Sequence, residues 1–217
     1  MEITTITSRE EWLKERLNGI GGSECSAIIG KNPYMSNVEL WKLKTGRKQA
    51  QDISNKACVQ YGIAAEAPLR ELFALDYPEY KVEYGGAFDM IRNDEHPFIY
   101  ATLDGRLTEI ATGRKGIYEG KTTEILRSMQ KEKWRDKIPD NYYCQVLWQL
   151  IATGWDFVAL NAQLKRQYYK DVRCETRRYF FEKEEVMEDM EYLKQEAIKF
   201  WEYVKLDKEP PLLLPSL

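Results

Sequence analysis

The amino-acid sequence predicts an α/β fold of the α+β kind, with a mixed central β-sheet flanked by helices. Apolar residues recur at helical spacing through most of the first 80 residues, whereas runs rich in β-branched and aromatic residues follow between 81 and 122. The 217 residues are enough for one domain with a sizeable core. We therefore expect a single domain with a mainly helical part at 1–80, a sheet with an inserted helix at 81–180, and a C-terminal helix and tail at 183–217.

Two capping boxes mark helix starts in the N-terminal part. Ser8 is followed three residues later by Glu11, and Ser36 by Glu39, which is the spacing at which both side chains bind free backbone amides. The first box predicts a short helix that ends near residue 17. The second predicts a helix that ends at Gly46.

Two more helices are predicted before residue 80. Ser23 has the side-chain chemistry of an N-cap for a helix over 24–29. Apolar residues at helical spacing predict a long helix over 53–75, in which Pro68 predicts a kink or a division.

The rest of the chain alternates strand and helix patterns, with bends at Gly85 and Gly86. The predicted elements are, in order, strands at 81–91, 98–110 and 116–122, a helix over 139–154, strands at 157–163 and 168–176, and a helix over 183–204. The Pro-rich tail at 209–217 is expected to pack on its own domain or on a neighbouring subunit.

The charge balance limits the class of function. A net charge of −3 argues against a protein that coats nucleic acid without specificity, since such binding depends on neutralising phosphates. It is compatible with an enzyme that has a local basic groove. Lys and Arg do cluster at 42–48, 127–137 and 165–178, although solvated helix faces and a hairpin edge explain these clusters equally well.

The four cysteines are widely spaced, which excludes a Cys-x-x-Cys zinc site and a disulfide framework. We interpret Cys25, Cys58, Cys144 and Cys174 as buried apolar residues in a reducing cytoplasm. No apolar run is long enough to cross a bilayer, and the N-terminus lacks the pattern of a signal peptide. We therefore expect a cytoplasmic protein with no membrane association.

Three residues point to chemistry. Glu119 and Lys121 are two apart in a predicted strand and so project to the same face, and Asp104 lies in the preceding strand-like run. Two carboxylates beside an ammonium group can hold Mg²⁺, with Mn²⁺ as an alternative, and can position a water for attack on a phosphodiester. Because Glu-x-Lys is common on charged surfaces, this motif needs support from elsewhere in the chain.

Three other residues suit an anion. Arg16 and Ser23 flank a glycine-rich segment that allows a phosphate to approach the backbone, and Thr102 lies two residues before Asp104 on the same predicted strand face. The alternatives are a surface arginine, a helix cap and an ordinary strand threonine.

Two polar residues lie in apolar surroundings. Glu66 lies among small apolar residues on a helix expected to be largely buried, so it requires a metal, a cation or an ion pair with Arg70 at i+4. Gln145, with Tyr142 on the same helix face, requires hydrogen-bond partners, either in a functional site or in the core.

Longer motifs resemble a known family. They occur in one order along residues 10–165 and include Gly21-Gly-Ser-Glu24, Asn32-Pro-Tyr34, Glu39-Leu-Trp41, Thr102-Leu-Asp104-Gly, Glu119-Gly-Lys121 and Tyr142 with Gln145. In these motifs the chain resembles the YqaJ-type viral recombinase nucleases, which belong with the phage lambda exonuclease in the PD-(D/E)xK nuclease superfamily. It departs from the pattern at Leu103, where the superfamily name has proline, and at Thr102, where the lambda enzyme has serine.

The resemblance implies a role for each matching residue. Asp104, Glu119, the Gly120 carbonyl and Glu66 would bind the metal, Lys121 would orient or activate the attacking water, and Gln145 would steady the site. Arg16, Ser23 and Thr102 would bind a terminal 5′-phosphate.

The resemblance also implies an activity and partners. The expected function is a Mg²⁺-dependent 5′→3′ exonuclease that degrades one strand of linear double-stranded DNA from a 5′-phosphorylated end. The expected setting is phage-type recombination in the cytoplasm of a bacterial host, with a homotrimer that passes single strands to an annealing protein. The alternatives are a structure-specific or restriction-like endonuclease of the same superfamily and a non-catalytic DNA-end-binding module.

Overall fold

A computed structural model describes residues 3–214, except for the side chain of Tyr168. The helices are α1 (Arg9–Glu15), α2 (Asn37–Lys44), α3 (Ala57–Asp76), α4 (Ser128–Glu132), α5 (Asp140–Thr153) and α6 (Met187–Lys205). The strands are β1 (Ile3–Thr5), β2 (Tyr80–Glu83), β3 (Asp89–Arg92), β4 (Tyr100–Ala101), β5 (Gly105–Glu109), β6 (Lys115–Glu124), β7 (Phe157–Tyr168) and β8 (Asp171–Glu182). Short 3₁₀ turns occupy Arg16–Asn18, Cys25–Ala27 and Lys183–Val186.

The strands form two sheets. The larger has the order β2-β5-β6-β7-β8, and the smaller has the order β1-β3-β4. Every pairing is antiparallel except that of β6 with β7. A parallel pair requires a crossover connection, and α4 and α5 lie in the segment that supplies it.

The predicted strand over 98–110 is wrong in one respect, because it is divided between the two sheets. β4 pairs with β3 in the smaller sheet, whereas β5 pairs with β2 and β6 in the larger one. Residues 102–104 connect them and belong to neither. The alternation of a continuous strand therefore does not place Thr102 and Asp104 on one face, and the predicted strand over 81–91 is divided between the sheets in the same way.

The second predicted capping box is confirmed, whereas the first forms only its N-cap half. The Ser8 hydroxyl accepts a hydrogen bond from the Glu11 amide at 3.2 Å, but the Glu11 carboxylate accepts from the Thr7 hydroxyl at 3.1 Å; Ser36 and Glu39 form the reciprocal pair. Pro68 lies inside α3, which nevertheless runs undivided over twenty residues.

The predicted helix over 24–29 is wrong. Only the 3₁₀ turn Cys25–Ala27 forms there, it has no side-chain cap, and Ser23 is exposed just before it. The segment is confined between a glycine-rich loop and Gly30, whose φ of +70° ends any helical path.

Helices cover both faces of the larger sheet at β6. On one face, α5 is almost fully buried and packs against β4, β7 and α6. On the other, Phe73 of α3 packs on Tyr118 with ring centroids 5.1 Å apart, and both side chains are buried. Burial of a side chain the size of Phe73 contributes about 1.5–3 kcal/mol, so these contacts hold β6 firmly between two layers.

Within residues 3–214, no helix combines the length and the apolar character needed to cross a bilayer. The expected burial of the cysteines holds for Cys25 and Cys144 but is wrong for Cys58 and Cys174, which are exposed. Cys58 lies in the exposed first turn of α3 and Cys174 in the distal, exposed part of β8, where no layer covers them.

Candidate active site

Glu119 and Lys121 lie side by side on the α5 face of β6. The strand period predicts this placement, and the Lys121 ammonium forms an ion pair with Glu119 Oε1. The Glu119 side chain is 1% exposed and that of Lys121 is 19% exposed. A buried carboxylate is stable only with a partner of this kind. Because burial is strongest at the carboxylate, Lys121 is the member of the pair that a substrate reaches.

Asp104 joins this pair from the connection that precedes β5. The Gly120 amide donates to Asp104 Oδ2 at 2.9 Å, and Arg70 Nη1 donates to the Asp104 carbonyl oxygen at 2.7 Å. Burial, and next the negative charge of Glu119, raise the pKa of Asp104 to about 8. The protein thus holds Asp104 close enough to Glu119 for the negative charge of Glu119 to disfavour ionisation of Asp104.

Two glutamines of α5 hold the Glu119 carboxylate. Gln145 Nε2 donates to Oε1 at 2.7 Å, and Gln149 Nε2 donates to Oε2. Sequence reasoning singled out Gln145 and missed Gln149. The signal was present, because residues four apart lie on one helix face.

Glu66 lies at the edge of the same group. Its side chain is partly buried, and its pKa is raised, first by burial; Lys121 opposes this shift and Glu119 adds to it. The alternative partner Arg70 instead donates to Asp104. The expectation that α3 is largely buried is wrong, since only Leu69 and Phe73 are buried there. Glu66 is therefore a partly accessible carboxylate facing the cluster.

A pocket of about 90 Å³ adjoins the group of Asp104, Glu119 and Lys121. It contains all three residues assigned to phosphate binding and both glutamines; its lining is Trp12, Arg16, Gly21, Gly22, Ser23, Tyr100, Ala101, Thr102, Gln145 and Gln149. The glutamines therefore form a wall between the carboxylates and the pocket.

Close backbone contacts set the shape of the pocket. A Cβ on Gly19 would lie 2.5 Å from the Phe98 carbonyl oxygen, and one on Gly21 would lie 3.0 Å from the Tyr100 ring. Glycine is thus required for this loop to lie against β4. The Trp148 indole fixes the contact by donating to the carbonyl oxygens of Ile20 and Tyr100, at 3.1 and 3.0 Å.

One carboxylate and two cations lie beside this pocket. Glu24 pairs with Lys44 at 2.8 Å and with Arg16 at 3.3 Å. The Lys44 side chain is 1% exposed, and its ammonium also donates to the Arg16 carbonyl oxygen at 2.8 Å. Burial lowers the pKa of Lys44, whereas Lys44 and Arg16 together hold the pKa of Glu24 below its ordinary value despite burial. The three groups leave one net positive charge.

Three donors in the pocket are unmatched. Among the described residues, the buried atoms Thr102 Oγ1, Trp12 Nε1 and the Tyr100 hydroxyl oxygen have no hydrogen-bond partner. An indole N–H can only donate, and a buried donor without an acceptor costs about 1–3 kcal/mol. Sequence reasoning missed Trp12, although it precedes Arg16 by four residues and its ring lies 4.6 Å from the guanidinium carbon.

The described residues contain no cluster of the side chains that most often bind a metal. Within residues 3–214, no three His, Cys, Asp or Glu side chains converge on a point that could hold a metal ion. The donors still fit Mg²⁺, because this ion commonly binds through one or two carboxylates and keeps several waters. Asp104 and Glu119 supply two carboxylates, and burial together with the negative charge of Glu119 raises the pKa of Asp104.

Comparison with known proteins decides the family. The sequence profile of the YqaJ-like viral recombinase domain matches residues 11–156. The chain belongs to this family. The relatives include YqaJ of Bacillus subtilis (strain 168), itself described as uncharacterized, which is 34% identical over 151 residues, or 69% of this chain and 44% of the relative. The chain thus spans less than half the length of this curated relative.

Two solved structures share the fold. The alkaline exonuclease LHK-Exo from Laribacter hongkongensis matches with a TM-score of 0.63 and 18% identity, over 91% of this chain and 93% of that one. Its complex with dAMP matches with a TM-score of 0.62 over the same shares. The predicted PD-(D/E)xK architecture and the resemblance to the YqaJ family are confirmed.

The family match covers the whole candidate site. The group of Asp104, Glu119 and Lys121 and the neighbouring pocket both lie between Trp12 and Gln149, inside the matched range 11–156. The β7–β8 hairpin and α6 lie entirely beyond it. The family relation therefore bears on the site, whereas the hairpin has to be interpreted from its own structure.

Proposed function

We propose that this chain is a divalent-metal-dependent nuclease that cleaves DNA. Membership of a viral recombinase family supports the proposal, as does a fold shared with an alkaline exonuclease. The local support is the buried group of Asp104, Glu119 and Lys121, which joins hard oxygen donors to an ammonium. A buried group of this composition has little value for stability, because its desolvation cost rivals its attraction.

Each residue of this group has a distinct task in the proposal. Asp104 and Glu119 would hold Mg²⁺ or Mn²⁺, with the Gly120 carbonyl and Glu66 as further oxygen donors. The metal supplies charge stabilisation and a water made acidic enough to attack at neutral pH. Lys121 would orient that water, while Gln145 and Gln149 fix the plane of the Glu119 carboxylate.

We further propose that the enzyme is a 5′→3′ exonuclease on double-stranded DNA that requires a 5′-phosphate. One observation carries this step, namely that Gln145 and Gln149 contact Glu119 and also line the pocket of Arg16, Ser23 and Thr102. An anion in a pocket with one net positive charge and three unmatched donors would thus lie beside the acids. A terminal phosphate held there places the first phosphodiester near the metal, whereas an endonuclease has no need of such a pocket.

The same family relation supports the wider setting. We propose a single nuclease domain acting in the bacterial cytoplasm during phage-type recombination, as a homotrimer that passes single strands to an annealing protein.

The deciding experiment uses linear duplex DNA labelled on each strand, with and without 5′-phosphates, in Mg²⁺. We expect shortening of the strand that carries the 5′-phosphate, and we expect Arg16→Met to reduce the preference for phosphorylated ends about tenfold to hundredfold, as loss of a charge-assisted hydrogen bond predicts. Closed circular duplex is the control. Nicking of the circle, or equal digestion of both kinds of end by the unaltered enzyme, would contradict the exonuclease proposal.

A further inference from the structure

The Asn32-Pro-Tyr34 motif presents an aromatic side chain that the proposed active site does not use. Tyr34 is 87% exposed. Its loop is nevertheless fixed from within, because the buried Asn32 side chain accepts a hydrogen bond from the Tyr34 amide at 2.9 Å and donates to the Ser23 carbonyl oxygen at 3.3 Å. Pro33 restricts the backbone between Asn32 and Tyr34. A rigid loop thus holds a tyrosine in solvent.

This loop adjoins the Arg16 pocket. Ser23, which accepts the hydrogen bond from Asn32, is one of the residues that line the pocket. Single exposed aromatic residues are common on protein surfaces, so the position beside the pocket is what matters. An aromatic side chain on a rigid loop loses little conformational entropy when a ligand binds to it. Tyr34 therefore has the properties of a binding residue at the mouth of the pocket.

A second tyrosine connects Tyr34 to the catalytic lysine. The pKa of Tyr34 is raised, first by partial desolvation and next by the nearby Tyr142 phenol and Cys58 thiol, so the ring lies near both α5 and the first turn of α3. The Tyr142 ring in turn lies 5.5 Å from the Lys121 ammonium. The neighbours of Tyr34 thus lead to the pocket, through Ser23, and to Lys121, through Tyr142.

The proposed substrate has a base in this region. Under the proposed function, the terminal phosphate occupies the Arg16 pocket and the next phosphodiester lies at the carboxylates, so the terminal nucleoside spans the Gln145–Gln149 wall. The pocket of about 90 Å³ is far below the about 300 Å³ or more of a pocket that encloses a larger ligand. It can take the phosphate but not the base as well. The base therefore lies outside the pocket, on the side where Tyr34 is exposed.

We propose that Tyr34 stacks on the base of the 5′-terminal nucleotide of the strand that is degraded. Every base has a π-face, so the stacking adds affinity for a terminal nucleotide without selecting its sequence. The proposal rests on the proposed exonuclease function and adds a base subsite to its phosphate pocket. It makes Tyr34 a residue that distinguishes a complete terminal nucleotide from a bare sugar phosphate.

The test removes the two stacking partners separately. The substrates are 5′-phosphorylated duplexes whose terminal residue on the digested strand is a normal nucleotide or an abasic analogue, and both are digested in Mg²⁺. For the unaltered protein we expect loss of the base to raise KM about tenfold with little change in kcat, as loss of one stacked base predicts. Tyr34→Ala should show the same rise on the normal end and no further rise on the abasic end, because coupled partners are not additive.

Binding without cleavage provides an independent readout. The terminal base is replaced by 2-aminopurine, whose fluorescence is quenched by stacking, and Ca²⁺ replaces Mg²⁺ to slow digestion. We expect the unaltered protein to quench the fluorescence, and Tyr34→Ala to lose this quenching while it still binds the phosphorylated end. Tyr34→Phe keeps the ring and should retain both the quenching and the KM of the unaltered protein.

Two controls accompany these measurements. Tyr192→Ala removes another exposed tyrosine, on α6, and should leave KM and fluorescence unchanged. An abasic residue at the second position from the 5′ end should affect the unaltered protein and Tyr34→Ala equally.

The outcomes separate the stacking from the nuclease function. If Tyr34→Ala and the abasic end raise KM independently, so that their effects multiply, or if Tyr34→Phe loses as much as Tyr34→Ala, the stacking proposal is overturned. Duplexes that are digested without any quenching that depends on Tyr34 would overturn the stacking alone. Duplexes that bind with this quenching but are not digested in Mg²⁺ would overturn the nuclease function and leave the stacking in place. If the protein neither binds nor digests them, both proposals fail.

Discussion

Two buried charge clusters lie on opposite sides of the Gln145–Gln149 wall, and they differ in sign. The cluster on β6 has Asp104 and Glu119 against Lys121, so it has an excess of negative charge when Asp104 is ionised. The cluster beside the loop has Arg16 and Lys44 against Glu24, so it has an excess of positive charge.

The difference indicates which ligand each cluster favours. Burial and the negative charge of Glu119 raise the pKa of Asp104, so an ionised Asp104 favours a cation, whereas an excess of cations with unmatched donors favours an anion. In the proposed function, a phosphorylated DNA end with its metal would supply both charges at once. The proposal therefore makes the two clusters complementary to one ligand, and each can be altered separately.

The largest expected effect follows from Lys121→Met. This change keeps the length of the side chain but removes the ammonium that pairs with Glu119, so we expect kcat to fall by about 100-fold or more, as when a group that acts in proton transfer is lost. The measurement is single-turnover digestion of a 5′-phosphorylated duplex. Lys115→Met is the matched control, because Lys115 lies on the same strand and is exposed. Comparable activity of the two variants would remove Lys121 from the mechanism.

A smaller effect is expected from Lys44→Met in the positive cluster. Glu24 would then neutralise Arg16 alone, the net charge of the cluster would fall to zero, and KM for a 5′-phosphorylated end should rise about tenfold, equivalent to about 1.4 kcal/mol. The double variant Glu24→Gln/Lys44→Met restores one net positive charge.

The double variant tests whether charge or packing is responsible. We expect it to recover most of the affinity for phosphorylated ends, while KM for 5′-hydroxyl ends changes little in either variant. Thermal unfolding should accompany the kinetics, because breaking a buried ion pair costs about 3–5 kcal/mol of stability. A double variant as weak as Lys44→Met would show that the lysine acts only through structure.

The sequence predicted the two clusters unequally. The Glu119–Lys121 pair follows from the two-residue period of a strand, and the ends of α5 follow from Asp140 and Gly154. This side of the site could therefore be predicted from local sequence patterns. The ion pair of Glu24 with Lys44 spans twenty residues and joins a loop to a helix end. No periodic pattern in the sequence predicts such a contact, because it depends on tertiary packing.

The break between β4 and β5 could not be predicted from the sequence either, because it too depends on tertiary structure. Residues 98–110 have uniform strand propensity, and only the pairing of β4 with β3 and of β5 with β6 divides them. That division places Thr102 in the lining of the Arg16 pocket while Asp104 contacts Gly120. A local pattern can thus identify the residues of a site and still misplace them.

The smallest expected effect concerns stability, and it tests whether the negative cluster is strained without metal. The folded pKa of Asp104, about 8, lies above its ordinary value of 3.8. A carboxyl with a raised pKa contributes its stability at low pH and loses it as pH rises through the folded value. In EDTA we therefore expect the unaltered protein to lose unfolding free energy, relative to Asp104→Asn, between pH 5 and pH 9. Urea unfolding at both pH values measures this difference. Mg²⁺ should reverse it at pH 9 by stabilising only the unaltered protein, and equal pH dependence of the two proteins in EDTA would show that the pKa of Asp104 is not raised in the folded protein.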